Sequence, residues 1–346
     1  MPLAPEERRP RLTPAIADVR RAVRASLTPL RDARVAGSSP IQDAPLVLVA
    51  LSGGADSLAL AAATAFEAPR AGLRAGAVIV DHGLQDASAE VAARAAQQAR
   101  DLGLDPVVVA RVSVDAGSSA GPEGAARAAR YEALRREASA HHALAVLLAH
   151  TLDDQAETVL LGLARGSGAA SLQGMAAESG LYRRPLLGVR RATTRAFCAD
   201  SRLAPWDDPH NLDPAYARAR VRERVLPVLE SELGPGVAEA LARTAEQLRE
   251  DNDAFQQMIE ETIEDIVEHV EAGIGIAVSA LEANPPALRG RIVRFVAQSE
   301  FGVALERVHV QAVLRLVTDW RGQQPLDLPG FSAAREGRLL VLRAAR

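Results

Sequence analysis

The residues best equipped for chemistry in this chain are Ser52-Gly53-Gly54-Ala55-Asp56-Ser57. Glycines let the backbone approach a phosphate, and free N–H groups at a helix N-terminus stabilise its charge. Asp56 beside phosphates is repulsive unless a cation intervenes, which makes it a candidate Mg²⁺ ligand; capping the helix is the structural alternative. The loop is not of the Walker type, because the 346-residue chain contains no Lys. Asp81-His82-Gly83-Leu84-Gln85 adds a polar pair suited to nucleoside or metal contact. Arg127 and Arg130 stand at i, i+3, so one helix face presents two guanidiniums able to clamp phosphates. His150 is followed by Asp153, Asp154 and Glu157, an acidic cluster that is costly unless it meets a metal ion or an ammonium group. In Arg218-Ala219-Arg220-Val221-Arg222, the i, i+4 pair Arg218 and Arg222 makes a basic stripe suited to a nucleic-acid backbone. A solvated or salt-bridged helix face is the alternative for these arginine pairs.

Alternating elements must position these groups. Apolar runs at Leu46–Leu51, Ala75–Val80, Pro106–Val112 and Ala143–Ala149 read as buried strands. Helical patterns at Ser57–Ala68, Ala87–Leu102 and Glu123–Ser139 lie between them. That alternation predicts an α/β fold with a doubly wound, mostly parallel sheet, covered on both faces. Ligands in such sheets bind beyond the carboxyl ends of the strands, where every motif above falls. An Arg-rich helix over Thr13–Arg34 precedes the first strand. Gly234-Pro235-Gly236 marks a bend, so we expect a catalytic domain over residues 1–233, with a helical extension over 1–45. A smaller, mainly helical domain over 234–346 follows. It should hold a long acidic helix (Val237–Val270), helices near Pro286–Gln298 and Ala304–Thr318, and a hairpin of Gln324–Leu328 with Leu339–Arg343.

Composition narrows the class. With 24% charged and 48% hydrophobic residues the chain reads as an ordinary globular protein, without a membrane span or the apolar core of a signal peptide. The expected compartment is the cytoplasm. Its one cysteine, Cys198, excludes an intramolecular disulfide and reads as a small core residue. The net charge of −4 conceals segregation. Residues 183–224 hold ten Arg against five acids, residues 230–282 fourteen acids against two Arg, and residues 287–346 ten Arg against five acids. Phosphate binding follows such local patches.

SGGADS, DHGL, ExxARxxRY, AHxxDDQxET, RGxG, GM, RPLL, DPxN and RxRxRxxxLP occur in that order over residues 46–229. In this the chain resembles the tRNA(Ile)-lysidine synthetases, and its first motif resembles the PP-loop of the N-type ATP pyrophosphatases. The resemblance implies ATP and Mg²⁺ as cofactors, with an isoleucine tRNA of CAU anticodon and free L-lysine as partners. The wobble cytidine is adenylated, and the ε-amine of lysine then displaces AMP to leave lysidine, a carbon–nitrogen ligation. It also implies that Ser52–Ser57 hold ATP, joined here by Asp81 and His82, and that Asp56, Arg130, Asp154 and Glu157 serve catalysis. Arg127, His150, Asp153, Arg218, Arg220 and Arg222 would contact the substrates. Asp153, Asp154 and Glu157 would offer an acidic pocket for the lysine cation, and a carboxylate of raised pKa can take the amine's proton. The resemblance further implies that the domain over 234–346 contacts the tRNA. A homodimer is one assembly considered. Three positions depart from the family pattern: Gln85 for Arg, His210 for Ser and Ala219 for Asn. The alternatives are a tRNA thiolase, which needs more than one cysteine, and a non-catalytic ATP-binding RNA adaptor.

Overall fold

The structure, a computed structural model, describes residues 12–32, 44–83, 88–113, 121–166, 168–208, 213–271 and 273–345. The chain forms two compact units, the first through Leu248 and the second from Arg249. The Gly234-Pro235-Gly236 bend therefore lies inside the first unit.

The first unit begins with α1 (Pro14–Asp32), then alternates β1 (Leu46–Ala50), α2 (Ala55–Glu67), β2 (Arg74–Asp81), α3 (Ser88–Asp101), β3 (Val107–Arg111), α4 (Gly121–Ala140), β4 (Ala143–Leu147) and α5 (Leu152–Ala164). A short α6 (Ala169–Leu172), the two-residue strands β5 (Glu178–Ser179) and β6 (Tyr182–Arg183), and α7 (Arg191–Asp200) follow. The sheet order is β3-β2-β1-β4-β6-β5, parallel except for the β5–β6 pair. Strand β1 alternates strictly. Val47 and Val49 join the core under α1, α2, α3 and α7, while Leu46 and Leu48 join the opposite core under α4. A strand buried on both faces needs this continuous apolar run. Successive strands run from β1 to β3 on one side, and β4 returns to the other side of β1. The topological switch point thus lies between β1 and β4, where a parallel sheet opens a crevice at its carboxyl edge.

The Arg-rich amino-terminal helix is part of this core. Ile16, Val19, Val23 and Leu27 of α1 are buried at helical spacing. Arg24 also forks onto Glu67, with Nε and Nη2 each 2.8 Å from a carboxylate oxygen.

Past α7, the segment Ala217–Glu232 is helical throughout. It comprises α8 (Ala217–Arg220), a π-helical turn (Val221–Val225) and α9 (Leu226–Glu232). Leu226 packs with Leu152 and Ala156 of α5 and with Ala238 of α10 (Val237–Ile266), which fixes this helix beside α5.

The second unit holds the remainder of α10, then β7 (Val267–Val270), β8 (Gly273–Ala277), α11 (Val278–Ala283), α12 (Pro286–Phe301), α13 (Arg307–Thr318), β9 (Leu326–Leu328), β10 (Phe331–Glu336) and β11 (Leu339–Ala344). To the expected helices it adds a five-stranded antiparallel sheet of order β7-β8-β11-β10-β9. The hairpin expected between Gln324–Leu328 and Leu339–Arg343 does not form. Strand β10 lies between β9 and β11 and pairs with both. The long acidic helix stops at Ile266 because Val267–Val270 pairs with β8.

Candidate active site

After β1 the chain turns into α2 through Ser52–Gly54. Gly53 takes φ +86°, a conformation that strains any residue with a Cβ. Gly54 is the N-cap and no side chain caps the helix, so its first-turn N–H groups have no intrahelical acceptor. Ser57 Oγ donates to the Gly54 carbonyl at 3.0 Å and accepts from Ser52 N at 3.2 Å, which closes the loop on itself. Distant residues hold it as well. Trp206 N donates to the Gly53 carbonyl at 2.9 Å, and Cys198 Sγ to the Ala55 carbonyl at 3.4 Å. Burial pushes the Cys198 thiol up to about 12, in keeping with a packing role.

Asp56 does not cap α2. Its Oδ1 accepts the Thr194 hydroxyl, and its Oδ2 lies 3.5 Å from Arg191 Nε. Burial raises the Asp56 carboxyl above the usual carboxylate range, and the nearby Asp154 charge adds to this, while Thr194 and Arg191 oppose it.

The acids of α5 meet cations from within the chain. Glu157 is wholly buried, 0% exposed. Its Oε1 accepts from Arg222 Nε at 2.8 Å and from both Arg191 terminal nitrogens at 3.1 Å; its Oε2 takes Arg222 Nη2 at 3.0 Å. Arg218 Nε stands 3.6 Å from the same Oε2, and Arg218 Nη2 donates to Thr158 Oγ1 at 2.9 Å. Asp154 completes a capping box with Thr151: its Oδ2 accepts the Thr151 N–H and hydroxyl, each at 2.8 Å. Its Oδ1 takes Arg191 Nη2 at 2.9 Å and Arg222 Nη2 at 3.2 Å. Burial disfavours the Asp154 anion, but Arg191, Thr151 and Arg222 outweigh it and hold the carboxyl below its usual range. Asp153 takes the Arg191 backbone N–H at 2.7 Å and Arg190 at 3.2 Å.

The acidic cluster is therefore not an open ammonium pocket. A buried carboxylate must be paired, and here arginines of α7 and α8–π supply the charge. For the same reason Arg218 and Arg222 do not form an outward stripe for nucleic acid; both turn inward. Arg220, two positions from Arg218 and so on the other side of the helix, leaves the site and donates to the Pro214 and Ala215 carbonyls at 2.6 and 2.8 Å. Buried Ala219 occupies the position where the family pattern has Asn.

Beside this cluster lies a cationic, unpaired group. Arg130 has no ion pair among the described residues; Arg127 bonds Tyr131 Oη at 3.3 Å. Burial pushes the Arg130 guanidinium down, and neighbouring Arg127 and Arg218 push the same way. Burial and Arg130 likewise lower His82. Burial, reinforced by Arg184, Arg130 and Arg127, outweighs Asp154 and takes His150 down to about 4. Both imidazoles are neutral at pH 7, and the Nδ1 of each is buried without a partner among the described residues. Asp81 receives Gly83 N at 3.0 Å and faces Arg111 at 3.7 Å.

Asp56, Asp153, Asp154, Glu157, Arg218 and Arg222 thus form one network, with Arg130, Arg127, His82 and His150 adjoining it electrostatically and Arg220 outside. Gln85, His210 and Asn211 lie outside the described residues, as does the Glu123 side chain. Sequence reasoning missed Arg190, Arg191 and Thr194, which between them bind all four acids, Asp56, Asp153, Asp154 and Glu157. Their only signal was the arginine excess after residue 183.

The family model described as the PP-loop domain matches residues 28–229, and the TilS substrate binding domain matches residues 277–340. The chain is 64% identical over 303 residues to a tRNA(Ile)-lysidine synthase of Leifsonia xyli subsp. xyli, covering 87% of this chain and 91% of that one. It is 53% identical over 332 residues to the corresponding enzyme of Thermobifida fusca, covering 95% and 98%. Among solved structures, the U34-tRNA thiolase NcsA of Methanococcus maripaludis, with its 4Fe–4S cluster, superposes with a TM-score of 0.53 at 19% identity. That match covers 68% of this chain and 80% of the thiolase, and it concerns the fold alone.

Proposed function

This chain belongs to the tRNA(Ile)-lysidine synthase family, and on that premise we infer how its site joins free L-lysine to the wobble cytidine of an isoleucine tRNA with a CAU anticodon. ATP adenylates the base and pyrophosphate leaves. The lysine ε-amine then forms the new carbon–nitrogen bond as AMP departs. This work belongs in the cytoplasm, where ATP, lysine and tRNA are together.

The observation that carries the reading is the meeting, at the switch point between β1 and β4, of a phosphate loop with an arginine–carboxylate cluster and with Arg130, which has no ion pair among the described residues. The first-turn N–H groups of α2 and the Ser52 hydroxyl receive the departing pyrophosphate, on a loop that Ser57 holds closed. Arg130 is crowded by like charges, so an anionic phosphate oxygen relieves it. Asp154 and Glu157 act through Arg191 and Arg222, whose guanidiniums they aim, and are positioning residues in this account. Neutral His82 and His150 remain able to hydrogen-bond the nucleoside without adding charge.

Among the described residues no cluster of three or more His, Cys, Asp or Glu is arranged to hold a metal ion. Mg²⁺ ordinarily binds through one or two carboxylates plus phosphate oxygens, so this does not count against it. Asp56 fits that part, being a partly buried carboxylate of raised pKa beside the loop. The ion would neutralise charge building on the leaving pyrophosphate.

The test is pyrophosphate release from labelled ATP by the full chain, with lysine and tRNA transcript supplied singly and together. Release should need tRNA but not lysine and yield an adenylated RNA; lysidine should appear only when lysine is added. Release that requires lysine would overturn the two-step order. A thiolase would need more sulfur than the single, buried Cys198 provides.

A further inference from the structure

One cation ties together the helices that carry the arginine cage. Arg190 is the N-cap of α7, and its own side chain caps nothing there. That duty falls to Asp153 of α5, whose Oδ2 accepts the Arg191 N–H at 2.7 Å, while its Oδ1 lies 3.2 Å from Arg190 Nη2. On its other side Arg190 donates through Nη1 to Glu239 Oε1 of α10 at 2.7 Å and stands 3.8 Å from Glu230 Oε1 of α9. Glu230 is itself fixed. Its carboxylate accepts the N–H groups of Gly236, Val237 and Ala238 at 2.7, 3.3 and 3.0 Å, which caps α10. Burial works against the Arg190 cation, but Glu239, Asp153 and Glu230 outweigh it and raise its pKa above the ordinary arginine value.

Most helices joined in this way deliver a group to the site. Asp154 and Glu157 come from α5, Arg191 from α7, and Arg222 from the helical run that continues to Glu230. Arg191 directly follows Arg190, so its guanidinium, set among Asp56, Asp154 and Glu157, moves with the α7 N-terminus. Asp153 spends both of its oxygens on the junction. The Arg190, Glu230 and Glu239 side chains are 35%, 24% and 37% exposed, and ion pairs so open to water contribute little to stability. Placement is another matter, because a shift of about 1 Å made far from the chemistry can slow a reaction roughly a hundredfold. We propose that Arg190 is a positioning residue for the adenylation step: through Asp153, Glu230 and Glu239 it sets α7 against α5, α9 and α10, and so fixes where Arg191 presents its charge to the reacting phosphates. Arg190 itself touches no substrate. The proposal rests on the family reading given above.

The experiment follows pyrophosphate release and lysidine formation by the full chain with ATP, lysine and tRNA transcript. Arg190→Gln should lower the rate of release at saturating substrates about tenfold or more, with the KM values for ATP and lysine within about twofold of the wild type. Its thermal midpoint should move by no more than about 4 °C, as for an exposed ion pair. Glu239→Gln loosens only the outer end of the junction and should slow release less. The two changes together should be no slower than Arg190→Gln alone, since both act on one contact. The loss should likewise shrink in an Arg191→Lys background, where the group being aimed is itself altered. Arg136→Gln, at an exposed pair with Glu137 at 2.9 Å, should match the wild type. Losses that multiply in either combination overturn the proposal, as does an unchanged rate in Arg190→Gln. A change confined to the KM for lysine overturns it too, because the junction would then meet the substrate. If Arg190→Gln does not fold, Glu239→Gln combined with Arg191→Lys keeps the test. A wild-type chain that releases no pyrophosphate with tRNA would instead defeat the family reading.

Discussion

Changing Glu157 to Gln tests the arginine cage directly. The substitution preserves side-chain volume, so no cavity opens; what disappears is one negative charge facing Arg222 at 2.8 Å, Arg191 at 3.1 Å and Arg218 at 3.6 Å. Removing one partner of a buried ion pair costs about 3–5 kcal/mol, because the remaining charge is left uncompensated. The Arg191, Arg222 and Arg218 side chains are 17%, 22% and 34% exposed and recover some hydration, which places the loss near the lower end, about 3 kcal/mol. For a unit of this size each kcal/mol is worth about 2–4 °C, so thermal unfolding should move down by roughly 6–12 °C. Asp207→Asn, at a largely exposed pair 3.7 Å from Arg195, is the control and should move little. Combining Glu157→Gln with Arg222→Met should cost less than the sum of the two, since the second change removes a stranded cation. A midpoint lowered by less than about 2 °C would refute the cage. In kinetics, the KM values for lysine and ATP should shift together. A shift in lysine alone would mean that Glu157 meets the substrate amine itself.

Thr194→Val deletes the hydroxyl bonded to Asp56 and should slow adenylation about tenfold or more in single-turnover pyrophosphate release, the equivalent of one charge-assisted hydrogen bond; an unchanged rate would make the contact incidental. His150 titrates near 6.5 when unfolded and about 4 when folded, so its contribution to stability is fully present above pH 6.5 and is lost as pH falls toward 4. Denaturant midpoints between pH 7 and 4 should fall less steeply in His150→Gln, and an unaltered slope would contradict this burial. Gly174 has φ +60°, and a Cβ there would meet Gln155 Oε1 at 2.5 Å, breaking the paired bonds of that amide to Met175 N and O at 2.7 and 2.8 Å. Gly174→Ala should cost about 1–3 kcal/mol in denaturant unfolding, and a neutral result would show that the segment yields.

The parallel sheet was legible because buried strands are short apolar runs and their helices carry a 3.6-residue period. Observed strand limits differ from the expected ones by at most two residues, as in Arg74–Asp81 against Ala75–Val80. In the second unit the strands near Leu326–Leu328 and Leu339–Ala344 were legible but not their pairing through β10, and β7 and β8 were missed. Val267–Val270 continues the acidic period of α10, and in Gly273-Ile274-Gly275-Ile276 the two glycines, of low strand propensity, stand where close backbone approach requires them. A Cβ at Gly273 would lie 2.2 Å from the Leu342 carbonyl. In the site, residues sharing one short motif were found by their spacing. Arg191 and Thr194 were not, because their partners Asp56 and Glu157 lie 138 and 34 positions away, and spacing carries no record of pairs made by topology.

The hydrogen bond from Trp206 to Gly53, with those from Thr194 and Cys198 to the next residues of the loop, also bears on timing during synthesis. The strand–turn–helix that bears the motif leaves the ribosome complete, yet its outer braces are added almost 150 residues later. At translation rates of about 5–20 residues per second, the nascent chain carries an unbraced loop for roughly 7–30 seconds. A chain released early, between α5 and α7, would contain the entire phosphate motif without the side chains that hold it. ATP binding is then a property acquired late in translation, and nucleotide affinity measured on truncations of increasing length should rise sharply only once residue 206 is included.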